Sequence, residues 1–330
     1  MRSSQIHTAV LKPIKETPED LEAVEAIIKQ VFRREIYLPL IRSAGKTIKT
    51  LHNAGKLSEL IRAILSEKIG YHQGSFFGQI KASISRELKS LGAKWDKRSA
   101  SWKIPKSQIP ADINEAIFVA ELKIKKQYLE VDKKLEKIIP EEISAKVRVS
   151  RHFEKTLNKI DRQLTRTIKP FIVAPKVSAR SKELIAEEYT NNLQLYIKGW
   201  IEEEIPKLRE EVQRSVFSGN RYENLAKTIV KSYGQSERKA KFLARQETSL
   251  MITKYKELRY SEVGVEEYIW TCVQGTSSHP VRPMHKALQG KIFRWDNPPV
   301  VNEKGQRLNP GQDFGCRCYA KPIVKFKRSE

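Results

Sequence analysis

Three cysteines in 330 residues cannot pair off into a disulfide framework, which excludes the small, stapled folds of secreted proteins. Apolar residues are scarce as well, 39% against the roughly 45–50% of ordinary globular domains. No apolar run approaches the roughly 18 residues of a bilayer-spanning helix. The longest uncharged stretch, Tyr268 to Val281, contains Gln274, Thr276, Ser277 and His279. The first residues, Met1-Arg2-Ser3-Ser4-Gln5, lack the apolar segment of a secretory signal. The expectation is a water-soluble protein made in a reducing cytoplasm.

What is abundant is positive charge. The 62 Lys and Arg outnumber 39 Asp and Glu, for a net charge of +23 and a pI near 9.8. Self-repulsion on that scale is relieved by a polyanion, which points to nucleic acid or an anionic surface. The plainer reading is a basic protein whose charge only keeps it in solution. No lipidation motif or aromatic-rich apolar face supports a membrane surface.

The length fits two or three domains, and the pattern divides the chain into four segments. Residues 1–70 read as a helical N-terminal region. Thr17-Pro18-Glu19-Asp20 is a helix start, Leu21, Val24, Ile27, Ile28 and Val31 follow at helical spacing, and Gly45, Gly55 and Gly70 punctuate the rest. Residues 71–145 read as a small helix-plus-hairpin region: a short helix through Ile84 and Leu88 ends at Gly92, and Trp95 and Trp102 flank a polar turn. Those tryptophans, beside Lys94, Lys97, Arg98 and Lys103, either stack on bases or cap a small core. The string from Leu91 to Pro105 resembles a short module of some plasmid and phage DNA-processing proteins.

Residues 146–219 read as basic and amphipathic long helices. Between Lys146 and Lys182, eleven Lys and Arg face only Glu154 and Asp161. Phe153, Leu157, Ile160, Leu164 and Ile168 occupy one helix face. The rest carries Arg148, Arg151, Lys155, Lys159, Arg162, Arg166 and Lys169, a stripe able to track a phosphate backbone or to remain a solvated surface. Pro170 and Pro175 end that helix. Pro206 is expected to kink or interrupt the next one, Gly219-Asn220 to stop it, and Gly234 to end a further helix that begins near Tyr222.

Residues 220–330 are the most specific. A helical Ala-Arg-x-Glu places Arg245 and Glu247 next to Phe242 and Leu243, Gly264 closes the helix, and Trp270-Thr271 sits in a buried strand. Arg282-x-x-His285, Leu288-x-Gly290, Pro310-Gly311 and Cys316-Arg317-Cys318 follow. Taken together, these residues resemble the C-terminal domain of the phage Mu F-like minor head proteins, the phage head morphogenesis family, over roughly 220–322. Members of that family usually carry an acid between the Trp and the Arg. Here the stretch is Gly275-Thr276-Ser277-Ser278-His279, so pairing by that acid is absent or replaced.

In extended chain, residues two apart point the same way, so Cys316 and Cys318 can offer two thiolates to one metal, with His285 as a third donor. Zinc is the ion such ligands suit, the fourth position falling to His279, Cys272, Asp313 or water. The alternatives are two plain thiols beside a hydrogen-bonded His285, or a strained disulfide. Arg245 and Glu247, two apart on a helix, do not face each other. They are expected to reach different partners, Glu247 to Arg282 and Arg245 to the loop near Cys318. No Ser/His/Asp order, HExxH or phosphate-cradling glycine loop is present, and the reading is non-enzymatic.

The fold class expected is α+β, with helical N-terminal and central regions and a small α+β C-terminal domain. The resemblance implies a minor capsid protein of a tailed phage or prophage, resident in the virion head and in the host cytoplasm before assembly. Its implied partners are the portal and other head proteins, and double-stranded DNA is the polyanion expected nearby. The competing readings are a sequence-nonspecific DNA-binding packaging protein and a metal-dependent enzyme.

Overall fold

The structure, a computed structural model, describes residues 6–45, 59–65, 68–72, 74–173, 175, 177–217, 222–273 and 280–327. Strand β1 (Ile6–Val10) leads into α1 (Pro18–Val31), a π-helical segment (Phe32–Tyr37) and α2 (Leu38–Gly45). Then come α3 (Glu59–Leu65), β2 (Ile69–His72), β3 (Ser75–Gly78), α4 (Ala82–Ser90), β4 (Lys94–Asp96) and β5 (Ser101–Lys103). Five helices follow: α5 (Ala111–Glu136), α6 (Pro140–Ala145), α7 (Ser150–Ile168), α8 (Ala179–Phe217) and α9 (Tyr222–Glu262). The order ends with β6 (Glu267–Thr271), α10 (Pro283–Leu288), β7 (Ile292–Arg294) and β8 (Tyr319–Lys327). The class is α+β and mostly helical, as expected. Among the described residues, no helix is long and apolar enough to cross a membrane.

Two compact units emerge, and both are discontinuous in sequence. One holds residues 1–30, 144–198 and 237–330; the other holds 31–143 and 199–236.

In the second unit, β2-β3-β5-β4 form an antiparallel sheet. Phe76, Trp102, Ile84, Leu88, Leu60, Ile64, Ile113 and Ile117 share one core there. The expected hairpin is present, with Trp95 opposite Trp102. Trp102 is buried while Trp95 is 47% exposed, so one ring of the pair caps the core and the other faces solvent. The helix before it stops at Gly92, whose φ of +84° is open to glycine at no steric cost.

The first unit is built on α7. Phe153, Leu157, Ile160, Leu164 and Ile168 are all fully buried, the face read from the sequence. Against it lies α1, whose start is fixed as the sequence suggested: the Asp20 carboxylate accepts from the Thr17 N–H at 3.0 Å and hydroxyl at 2.8 Å, a capping-box arrangement. A four-stranded antiparallel sheet, β1-β8-β6-β7, completes the unit. Its edge strand β1 pairs Ile6 with Lys327 and Val10 with Ile323, a union of the two ends of the sequence that local patterning does not contain.

Three local expectations need correction. Helix does not continue to residue 70, because Ile69 and Gly70 lie in β2. Pro206 interrupts nothing: α8 runs through it, with Ile201, Ile205, Leu208 and Val212 buried at helical spacing on either side. Gly234 does not end a helix either, since α9 continues to Glu262. Interior Pro costs about 3 kcal/mol and Gly about 1 kcal/mol relative to Ala, and a buried stripe of this length offsets both. Gly55, Lys176, Gly219-Asn220 and residues 275–279, His279 among them, lie outside the described residues.

One ionic junction ties three helices of the first unit together. Arg259 of α9, only 1% exposed, lies 3.1 Å from Asp161 of α7 and 2.9 Å from Glu262, and Lys182 of α8 reaches the same Asp161 at 2.9 Å. Burial works against ionising Asp161, yet Lys182, Tyr255 and Arg259 hold its pKa below the ordinary carboxylate value. Removing one member leaves a buried cation exposed to a low dielectric. Asp161→Asn is therefore expected to destabilise the protein by about 3 kcal/mol in urea unfolding at pH 7. The wild-type junction should also weaken as the pH falls below the ordinary carboxylate range, through the lowered pKa of Asp161. A change under about 0.5 kcal/mol would mean the junction behaves as a surface pair.

Candidate functional site

The motif residues converge in the first unit, at the end of the sheet where β6, α10 and the loop before β8 meet. Tyr268 and Trp270 point from β6 into the core, both fully buried. The chain leaves that strand at Cys272. Gly290 brings it back: at φ +78° it donates its N–H to the Trp270 carbonyl at 2.9 Å. The neighbouring Gln289 side chain accepts from the Cys272 N–H at 2.6 Å. Gly311 makes a second close approach. A Cβ there would stand 3.0 Å from Thr253 Oγ1 and 3.3 Å from the Cys318 carbonyl, on a backbone at φ +93°, so the Pro-Gly loop can press against the Cys-Arg-Cys segment only without a side chain.

His285, 2% exposed, sits on α10 with its ring edge-on to Trp270 at 5.7 Å. Its Nδ1 lies 3.5 Å from Cys316 Sγ and 3.6 Å from Cys318 Sγ. Its Nε2 lies 3.1 Å from Asp313 Oδ2. The same carboxylate receives Arg282 at 2.5 Å, while a second Arg282 nitrogen donates to the Phe314 carbonyl. Cys272 Sγ stands 3.7 Å from Cys318 Sγ and donates to the His285 carbonyl at 3.2 Å. All three cysteines are free thiols. Hydrogen bonds from Cys318 and His285 draw the Cys316 thiol down to about 5. Donating to that thiolate pushes Cys318 up, and the thiolate in turn raises His285.

A cleft of about 420 Å³ opens over this cluster, lined by Arg245, Arg282 and Arg317 together with Phe242, His285 and Cys316. The sequence thus identified residues that do meet: His285, Cys316 and Cys318 form one cluster. Arg245, Arg282 and Arg317 rim it, while Trp270 and Gly290 position its supports. Asp313 was weighed only as a ligand; it stands instead behind the histidine. The partners expected for Glu247 are not there. Arg282 is engaged by Asp313, and Glu247 points inward, 1% exposed, with neither carboxylate oxygen hydrogen-bonded among the described residues.

The basic stripe lies elsewhere in the same unit. Arg148, Arg151, Lys155, Arg162, Arg166 and Lys169 are all exposed, and none forms an ion pair among the described residues. From Arg151 to Lys169 they occupy one side of α7 over about 27 Å at 1.5 Å per residue. Lys159 departs from the set: it is turned to α1, donating to Thr17 Oγ1 at 2.7 Å and pairing with Asp20 at 3.1 Å. That role was hidden because Asp20 lies far away in sequence.

Burial pushes the Glu247 carboxyl up to about 7. A folded-state value above the unfolded one means that this group's contribution is full below about pH 4.5 and is lost as the pH rises to about 7. Glu247→Gln should flatten that dependence, matching the wild type near pH 4 and exceeding its stability by about 3 kcal/mol at pH 8. Urea unfolding at the two pH values checks this. Parallel curves for the two proteins would contradict a protonated Glu247.

Among curated proteins, an "Uncharacterized protein" of Haemophilus influenzae (strain ATCC 51907 / DSM 11121 / KW20 / Rd) is 28% identical over 151 residues, covering 46% of this chain and 31% of the relative. The chain therefore spans about a third of that relative's length. No solved structure matches. The sequence from residue 206 to 321, containing every residue of the cluster and its rim, matches the family described as Phage Mu protein F like protein.

Proposed function

We propose that this protein is a non-enzymatic minor head protein of a tailed phage or prophage, acting in head morphogenesis. The observation that carries the reading is the family match over 206–321, in which the matched residues fold together instead of scattering. Arg245, Trp270, Arg282, Gly290 and Arg317 all position or border a single small cluster. The family supports association with other head proteins, and residence in the virion head follows from that role.

The finer reading is that the protein works at the portal vertex during procapsid assembly, packaging or ejection, with double-stranded DNA passing nearby. Its support is the α7 stripe: exposed cations on one side of a helix, without ion-pair partners among the described residues, are what counterion release from a duplex requires. Such a surface reads phosphates and not bases, so binding is expected to be independent of sequence. The same stripe favours the competing reading, a packaging protein whose head association is secondary.

Two measurements test this. Antibody against the protein should capture portal and other head components from lysates of cells producing particles, and purified heads should contain the chain. Its absence from both immature and mature heads would overturn the assignment. Separately, the affinity for duplex DNA should fall steeply with salt. The quadruple substitution Arg151→Ala, Lys155→Ala, Arg162→Ala and Arg166→Ala should reduce the log–log slope by about 3–4, equally for unrelated sequences. An unchanged slope would remove α7 from the DNA contact.

A further inference from the structure

We propose that His285, Cys316 and Cys318 bind a single zinc ion that staples helix α10 to the loop before β8. The inference stands on the geometry of these side chains and holds whether or not the protein acts in a viral head.

The distances are those of a coordination shell. Tetrahedral zinc with Zn–S of about 2.3 Å and Zn–N of about 2.0–2.1 Å places two thiolates about 3.8 Å apart, and a thiolate and an imidazole nitrogen about 3.5 Å apart. The structure gives 3.5 and 3.6 Å from His285 Nδ1 to Cys316 and Cys318 Sγ, and the three ligand atoms all lie within 4.8 Å of one another. Cys272 Sγ, 3.7 Å from Cys318 Sγ and donating to the His285 carbonyl, stands beside this group and not in it. The fourth position of a tetrahedral ion therefore falls to water.

The surroundings are arranged for a metal ligand. Asp313 at 3.1 Å accepts from Nε2, which leaves Nδ1 as the nitrogen directed at the sulfurs, able to ligate once any proton on it is released to solvent on metal binding. A carboxylate behind a ligating histidine fixes both its tautomer and its ring orientation. Arg282 fixes that carboxylate in turn. The backbone N–H of Cys318 donates to Cys316 Sγ at 3.3 Å, a hydrogen bond that favours the thiolate. Two thiolates with one imidazole form a soft donor set suited to zinc and poorly suited to calcium or magnesium. A staple is also useful here, because residues 295–318 contain no regular helix or strand. The same cysteine, histidine and aspartate in a row also have the connectivity of a thiol nucleophile with its base. A second thiol, Cys318, 3.6 Å from the same histidine nitrogen, favours the metal.

The test uses the full-length protein purified from zinc-supplemented cells. Elemental analysis should give about one zinc per chain, retained through desalting. Replacement by cobalt should produce the intense visible bands and sulfur-to-metal charge transfer of tetrahedral thiolate coordination. Cys316→Ser with Cys318→Ser should abolish binding. Cys272→Ser should leave the stoichiometry unchanged, and Asp313→Asn should lower affinity 10–100-fold. Asp313→Asn tests the site even if the double variant does not fold, and the wild-type readings need no variant. Less than about 0.2 zinc per chain without cobalt charge transfer would overturn the proposal. So would stoichiometric zinc unaffected by the paired Cys316 and Cys318 substitutions.

Discussion

The contact between Asp313 and His285 orders the C-terminal part of this molecule. An imidazole has two nitrogens and can offer only one lone pair at a time. With Nε2 held by a carboxylate, Nδ1 faces the sulfurs of Cys316 and Cys318. Much of what surrounds the pair serves to keep it there: Arg282 anchors the carboxylate, Trp270 supports the ring, and Gly311 allows the Cys-Arg-Cys segment to approach. The motif residues thus act as a set of braces with one purpose. Losing any brace is expected to act through the geometry of the cluster before it acts on a partner.

The rest of the first unit provides the frame. The sheet that carries the cluster has its edge completed by the first strand of the chain. Its helices are locked by two polar junctions, Lys159 with Asp20 and Thr17, and Asp161 with Lys182 and Arg259. These junctions draw on the same basic residues that look, in sequence, like a uniform cationic run. Only part of that run therefore remains available to a polyanion. Charge on a helix is divided between structure and recognition by what packs against it, and Lys159 falls on the structural side.

Much of the fold was legible because its signals are local. The Thr17-to-Asp20 start, the stop at Gly92, the paired Trp95 and Trp102 and the apolar face of α7 each depend on residues within a few turns of one another. The breaks expected at Pro206 and Gly234 failed because a local penalty of a few kcal/mol was weighed without the burial that opposes it. The β1–β8 pairing, by contrast, depends on residues more than three hundred positions apart. At the site, Cys316, Cys318 and His285 were legible from donor chemistry and spacing. Asp313 was not separable from the other ligand candidates, because the distinction between binding a metal and holding a ligand is one of direction in space. The inward turn of Glu247 was invisible for the same reason.

A head-morphogenesis role and a zinc-stapled terminal region are compatible without depending on each other: the first rests on the family match, the second on interatomic distances. The staple is the more direct claim about this chain. X-ray absorption at the zinc edge of the full-length protein tests it most plainly. The account predicts a shell of two sulfurs at about 2.3 Å, with the remaining nitrogen and oxygen ligands at about 2.0–2.2 Å. A shell of oxygen and nitrogen alone, or no protein-bound zinc to measure, would contradict it.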